Sequence, residues 1–214
     1  MKNPQIHLRD INSSLVQAWK EAFADTPVIV SEGDIFDNTS ADAIISPSNS
    51  FGYMDGGIDM VYSLHFGWSM SAELRQQIHQ QWGGELLVGQ AAVVDIRPHM
   101  PNTEFKYLIA APTMRVPMDV SQTVNAYLAF KAALRVATRH PEIQNILCPG
   151  LGTAIGLMNP EVCAKQMRFA WDELDATGMW HPRKNVTLRE PYRDHWAMVP
   201  ADLFMVKSTK LPSD

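Results

Sequence analysis

Two carboxylates, Asp55 and Asp59, flank Gly56-Gly57 in the stretch AIISPSNSFGYMDGGID, residues 43–59. An apolar run, Ala43-Ile44-Ile45, stops at Ser46-Pro47, and Asn49 follows among small residues. Glycines let backbone N–H groups approach a charged ligand, and a helix start behind them adds partial positive charge. A carboxylate beside such a loop can orient a water molecule or take its proton. A second stretch of this kind is PGLGTAIGLMNP, residues 149–160, with Gly150, Gly152 and Gly156 ahead of another helical pattern. Two amide-rich loops facing each other suit a diphosphate. A shorter loop, Gly33-Asp34-Ile35, follows the apolar run PVIVS. Taken singly, each feature has a simpler reading. The glycines serve turn geometry, Asn49 satisfies its own loop, Asp34 forms a turn or cap, and Asp59 is a first-turn aspartate favoured by the helix dipole.

The elements that must position these loops alternate along the chain. Period-2 and short apolar runs predict strands over Gln5–Arg9, Pro27–Ser31, Ala41–Ile45, Gln90–Arg97, Tyr107–Ala111 and Ile143–Cys148. Helical periodicity predicts helices over Ser14–Ala24, capped by Asn12 or Ser13, then Gly57–Phe66, Ser69–Trp82, Ser121–Arg139 and Pro160–Leu174. His99–Thr103 reads as a hairpin loop. The alternation predicts an α/β fold, a three-layer α/β/α sandwich with a mixed, largely parallel sheet. In such sheets ligands sit beyond the carboxyl ends of the strands, where all three loops fall. One domain is expected over residues 1–178, including an N-terminal strand-helix extension. Residues 179–214, rich in proline and carrying Trp180, Tyr192, Trp196 and Phe204, read as an extension packed on it or a flap over the site.

The 214 residues carry 18 Lys and Arg against 23 Asp and Glu, a net charge of −5. That balance argues against general nucleic-acid binding but leaves room for one anion pocket built from local amides. Two cysteines, Cys148 and Cys163, without a CxxC pattern, argue against a disulfide framework. With no apolar signal core at the start and no run long enough to span a membrane, a cytoplasmic chain is expected. The histidines show no paired metal spacing, so no metal is expected.

The order of these loops resembles the macrodomain family. It runs Gly-Asp-Ile, a strand ending in a small-residue Asn loop, paired glycines followed by an apolar residue and Asp, and a strand entering Pro-x-x-x-Gly-Thr-x-x-Gly. The resemblance covers roughly residues 28–174. It implies binding of ADP-ribose and, in some members, its removal from an acceptor. Residue by residue, it implies that Asp34 meets the adenine amino group with Ile35 beside it. Asn49 would contact the distal ribose, and Gly56 and Gly57 would lie along the ribose and diphosphate. Gly152, Thr153, Ala154, Ile155 and Gly156 would form the second diphosphate loop. Asp59 would position or activate water. The chain departs from the family where Ser46 replaces an asparagine, where Asp55 replaces a glycine, and where Leu157 replaces an aromatic residue, leaving Phe51 or Tyr53 to supply a ring.

The resemblance implies a hydrolase in which Asp59 assists water at the distal ribose, Asn49 holds the ribose hydroxyls and Asp55 is a second acid or base. Two alternatives stay open: a non-catalytic reader of ADP-ribose or a related nucleotide, and an interaction protein that keeps only the fold. No cofactor is expected, and the oligomeric state is open. Arg115 could reach a phosphate or pair with Asp119, and Tyr192 or Trp196 could stack on adenine if the tail covers the pocket.

Overall fold

The computed structural model describes residues 3–174 and 187–200. The sequence boundary at 178, together with Trp180 and Phe204, lies outside the described residues. Strand β1 (Gln5–Asp10) leads into α1 (Ser13–Ala22) and β2 (Ile29–Glu32), followed by β3 (Ala43–Ser46), α2 (Gly57–Phe66) and α3 (Trp68–Gln81). The antiparallel pair β4 (Ala92–Asp95) and β5 (Tyr107–Ala110) precedes α4 (Asn125–Ala137), β6 (Asn145–Cys148), α5 (Pro160–Asp172) and α6 (Arg189–Met198).

The six strands lie in the order β2-β1-β6-β3-β5-β4, and all neighbours are parallel except β4 with β5. Side chains alternate across the sheet. Ala43 and Ile45 of β3, and Ile146 and Cys148 of β6, face a core shared with Trp19 of α1, Phe130 of α4 and Met167 of α5. Ile44 and Leu147 face the opposite core, with Tyr62 and Phe66 of α2 and Leu74 of α3. Two cores sandwiching one sheet make the fold a three-layer α/β/α architecture. No helix among the described residues is long and apolar enough to cross a membrane.

Three features differ from the sequence reading. The predicted helix over 121–139 starts only at Asn125, because Asp119 accepts from the Ser121 N–H and Val120 accepts from Thr123, closing a turn instead. Strand β1 is no appendage: it sits inside the sheet between β2 and β6. Part of the tail is helical. Pro191 falls in the first turn of α6, where its missing N–H costs nothing. The helix docks through Met198 O, which accepts from Nε2 of Gln166 on α5 at 3.0 Å.

Candidate functional site

The parallel strands β1, β6, β3 and β5 end on one side of the sheet, and a cavity of about 470 Å³ opens there. Its walls come from residues 10–12, the loop after β3, the start of α2, Thr113 and Met114 after β5, and residues 149–156 after β6.

At the floor, Ser46 closes β3 and is fully buried. Its hydroxyl donates to Oδ1 of Asp59 at 2.6 Å. Asp59 stands in the first turn of α2, only 8% exposed, and lines the cavity. Burial pushes its carboxyl up to about 7; the Ser46 hydroxyl pulls against that rise and the nearby Asp55 carboxylate adds to it. A carboxyl poised there is suited to exchange protons near neutral pH. Asp55, exposed at the rim, shares the cavity.

The loop after β3 is held from both sides. Thr113 N donates to Ser48 O, and Thr113 Oγ1 donates to Pro47 O. The Asn49 side chain braces its own loop, with Oδ1 accepting from the N–H groups of Phe51 and Tyr53 and Nδ2 donating to Tyr53 O at 2.7 Å. It lines the cavity with one Nδ2 hydrogen left to give. Ser48 Oγ is buried on the cavity wall with no hydrogen-bond partner among the described residues. Tyr53 lines the cavity, its ring 5.2 Å from the Arg75 guanidinium, whereas Phe51 lies outside the lining and carries Arg115 over its ring.

Across the cavity the loop after β6 folds back on itself. Met158 N donates to Gly152 O, and Leu157 N donates to Ala154 O. Val120 N donates to Gly156 O. Gly156 has to be glycine, since a Cβ there would stand 2.5 Å from Gly152 O and 2.6 Å from Val120 Cγ2. None of the backbone N–H groups from Gly152 to Gly156 finds an acceptor among the described residues. The Ile155 side chain crosses toward Gly56 and Gly57, within 3.7 Å and 3.6 Å of where their Cβ atoms would be. Those two residues open α2, whose first-turn N–H groups also lack helical acceptors. Two sets of free amides therefore face each other. The lining carries three carboxylates, Asp10, Asp55 and Asp59, and no cationic side chain among the described residues, which leaves backbone dipoles as its attraction for an anion.

The structure thus gathers Asn49, Asp55, Gly56, Gly57, Asp59, Gly152, Thr153, Ala154, Ile155 and Gly156 around one cavity. It does not bring Asp34 and Ile35 to that wall. Asp34 is exposed, with Oδ1 accepting from Phe36 N, and Ile35 is buried in the core beside α2 and α3. Arg115 lies outside the lining and holds Glu85 at 2.7 Å rather than Asp119. Tyr192 and Trp196 pack on each other on α6 and do not line the cavity. Asp10, Ile11, Asn12, Ser48 and Thr113 are wall residues that the motif reading passed over. The signal for the first three was available, since they follow a predicted strand as the other site loops do.

This combination of a mixed sheet with two facing amide loops beyond its parallel strands defines a macrodomain. The Macro-like domain family matches residues 20–177, and the chain belongs to it. It is 31% identical over 127 residues to an uncharacterized protein of Aquifex aeolicus, covering 59% of this chain and 70% of that one. An uncharacterized protein of Aeropyrum pernix is 28% identical over 155 residues, covering 72% and 75%. Among solved structures, the fold is similar to the macrodomain of Mycobacterium tuberculosis DarG, with TM-score 0.56, 21% identity and coverage of 69% of this chain and 91% of that one. It is also similar to the Oceanobacillus iheyensis macrodomain with ADP, with TM-score 0.54, 15% identity and coverage of 81% and 88%. A glycine-to-valine mutant of that macrodomain with ADPR gives TM-score 0.54 at 16% identity, covering 65% and 73%.

Proposed function

We propose that the cavity binds ADP-ribose and that the chain hydrolyses the bond joining the distal ribose to an acceptor. The observation that carries the reading is the run of acceptor-free amides from Gly152 to Gly156, set opposite the start of α2 at Gly56 and Gly57. An amide-lined wall with no cationic side chain among the described residues is suited to a diphosphate held by its oxygens. The Oceanobacillus iheyensis macrodomain structures with ADPR and with ADP support the choice of ligand.

With the diphosphate pinned there, the distal ribose falls toward Asn49 and Asp59. The remaining Nδ2 hydrogen of Asn49 meets a ribose hydroxyl. Water attacks the anomeric carbon, and the Asp59 carboxylate takes its proton. The bond from that carbon to the acceptor breaks with its electron pair leaving on the acceptor, which is protonated by solvent or by Asp55. Fixing both reactants makes the attack effectively intramolecular.

A second reading, a reader without turnover, draws support from the Asn49 side chain, most of whose hydrogen-bonding capacity is spent on its own loop. Release of free ADP-ribose from an ADP-ribosylated protein pool separates the two. Turnover by the wild type with a loss of roughly 100-fold or more in Asp59→Asn, at ADP-ribose affinity within several-fold, supports the hydrolase. Tight binding with no release supports the reader.

A further inference from the structure

Helix α2 carries apolar side chains on both of its sides. Tyr62 and Phe66 face the core beneath it, while Met60, Val61 and Leu64 stand exposed. Spacings of three and four residues put those three on one face. Trp68, just past the Gly67 joint with α3, is exposed as well. At the other end of the helix so are Ile155, whose side chain reaches Gly56 and Gly57, and Leu157, two residues further on. All six are between 37% and 68% exposed.

The strip is also without charge. Among residues 56–72, Asp59 is the only Asp, Glu, Lys or Arg, and it is buried. In a chain that is 19% charged this is a departure from the pattern of the other helices. The outer face of α1 carries Lys20 and Glu21, and that of α5 carries Glu161, Lys165 and Asp172. A helix that is apolar all round is normally covered, and a continuous apolar patch marks an association surface.

Charge and area point to what covers it. A partner of different sequence is selected by complementary charge, and the strip offers none. Two chains of net charge −5 repel through their charged surfaces, and pairing this face keeps those charges outside the contact. Interfaces between identical chains are the more apolar kind. Fully burying a large aliphatic side chain removes on the order of 100 Å² of apolar surface, and a tryptophan about 200 Å². At their exposures the six side chains give roughly 400 Å² per copy. With the exposed Gly57, Ser69 and Ala72 beside them, two copies approach about 1,000 Å², the lower edge of a specific interface. The tail after residue 200 starts from the other layer, since α6 docks on α5 while α2 covers the opposite face of the sheet.

We propose that the outer face of α2, centred on Leu64 with Trp68 beside it, pairs with the same face of a second copy of this chain across a two-fold axis. The pairing is independent of what the cavity binds. Val61 and Ile155 belong to both the strip and the cavity lining, so the second copy stands beside the mouth.

Sedimentation velocity of the full chain across the micromolar range tests it. The wild type is expected to pass from monomer to dimer there, because an interface of this size is at the weak end. Leu64→Lys is expected to stay monomeric, with a melting temperature within about 2 °C of the wild type and unchanged ligand binding, since Leu64 is exposed and outside the lining. An equimolar mixture of Leu64→Lys and Leu64→Glu is expected to recover the dimer, since a two-fold axis sets position 64 near its counterpart. A wild type still monomeric at submillimolar concentration overturns the proposal. A lower melting temperature in Leu64→Lys then assigns the face to the chain's own residues 201–214, and an unchanged one assigns it to a different protein. A dimer that survives both Leu64→Lys and Trp68→Lys overturns it as well.

Discussion

Ser46 Oγ lies 2.6 Å from Oδ1 of Asp59, and the pair is buried where β3 meets the first turn of α2. The serine closes a strand and the aspartate opens a helix, so two rigid elements fix the carboxylate. Its environment sets opposing pulls, burial raising the proton affinity and the hydroxyl lowering it.

That balance has a cost to the fold. The native Asp59 holds a proton up to about pH 7, whereas the unfolded chain releases it near 3.8. Between those values the native state binds more protons, so stability falls as pH rises through the window and the full loss is present above about 7. The span corresponds to about 4 kcal/mol. Asp59→Asn, which mimics the protonated form, is expected to match the wild type near pH 4 and to exceed it by up to about 4 kcal/mol at pH 8. Urea denaturation at the two pH values checks this. A variant less stable than the wild type at pH 8 contradicts it.

Removing the hydroxyl shifts the balance one way. In Ser46→Ala the carboxylate loses its donor, and its proton affinity rises further. A hydrogen bond to a charged group is worth about 1.5–3 kcal/mol, enough to move the rising limb of the pH–rate profile upward by about one pH unit or more. The expected result is slower release of ADP-ribose at pH 7, recovered at higher pH, with KM little changed. A profile that stays put removes Ser46 from the account.

The two glycine loops respond differently to one methyl group. Gly156→Ala would press on Gly152 O and Val120, forcing the amide loop open. A loss of about 1–3 kcal/mol of stability and of at least roughly tenfold in ADP-ribose affinity is expected. At Gly56 the added carbon meets only Ile155 Cδ1 at an ordinary 3.7 Å, and the backbone φ is −150°. Gly56→Ala should leave the melting temperature nearly unchanged. Equal melting losses in the two variants would argue against the loop geometry.

A buried amide takes part in the docking of α6. Gln166, fully buried, donates to Thr123 O and Met198 O and accepts from Tyr127 N. Gln166→Leu orphans those groups and is expected to cost roughly 2–4 kcal/mol. A change under about 0.5 kcal/mol in chemical denaturation, the range of ordinary surface substitutions, would mean that α6 is held by other contacts.

Much of the site was legible because its residues signal locally. Paired glycines ahead of a helix, and PGLGTAIG after a strand, announce loops of free amides, and strand-to-helix alternation announces the sheet that aligns them. Strand order was not legible. Nothing in QIHLRD says that β1 lies between β2 and β6, and that placement is what brings Asp10 and Asn12 to the cavity while Asp34 stands outside it. Asn49 shows the same limit at the level of one side chain. Its type signals a ligand contact or a turn with equal force, and only the three bonds to its own loop reveal how much capacity is left. Helix α6 escaped the reading because prolines in the tail masked a short amphipathic run that tertiary contact stabilises.

The facing amide loops are proposed to hold ADP-ribose. Calorimetric titration of the purified chain with ADP-ribose, with AMP and NAD as comparisons, tests it most directly. One-to-one micromolar binding that prefers ADP-ribose is the predicted result. No heat of binding at millimolar ligand, with the chain folded, would contradict it.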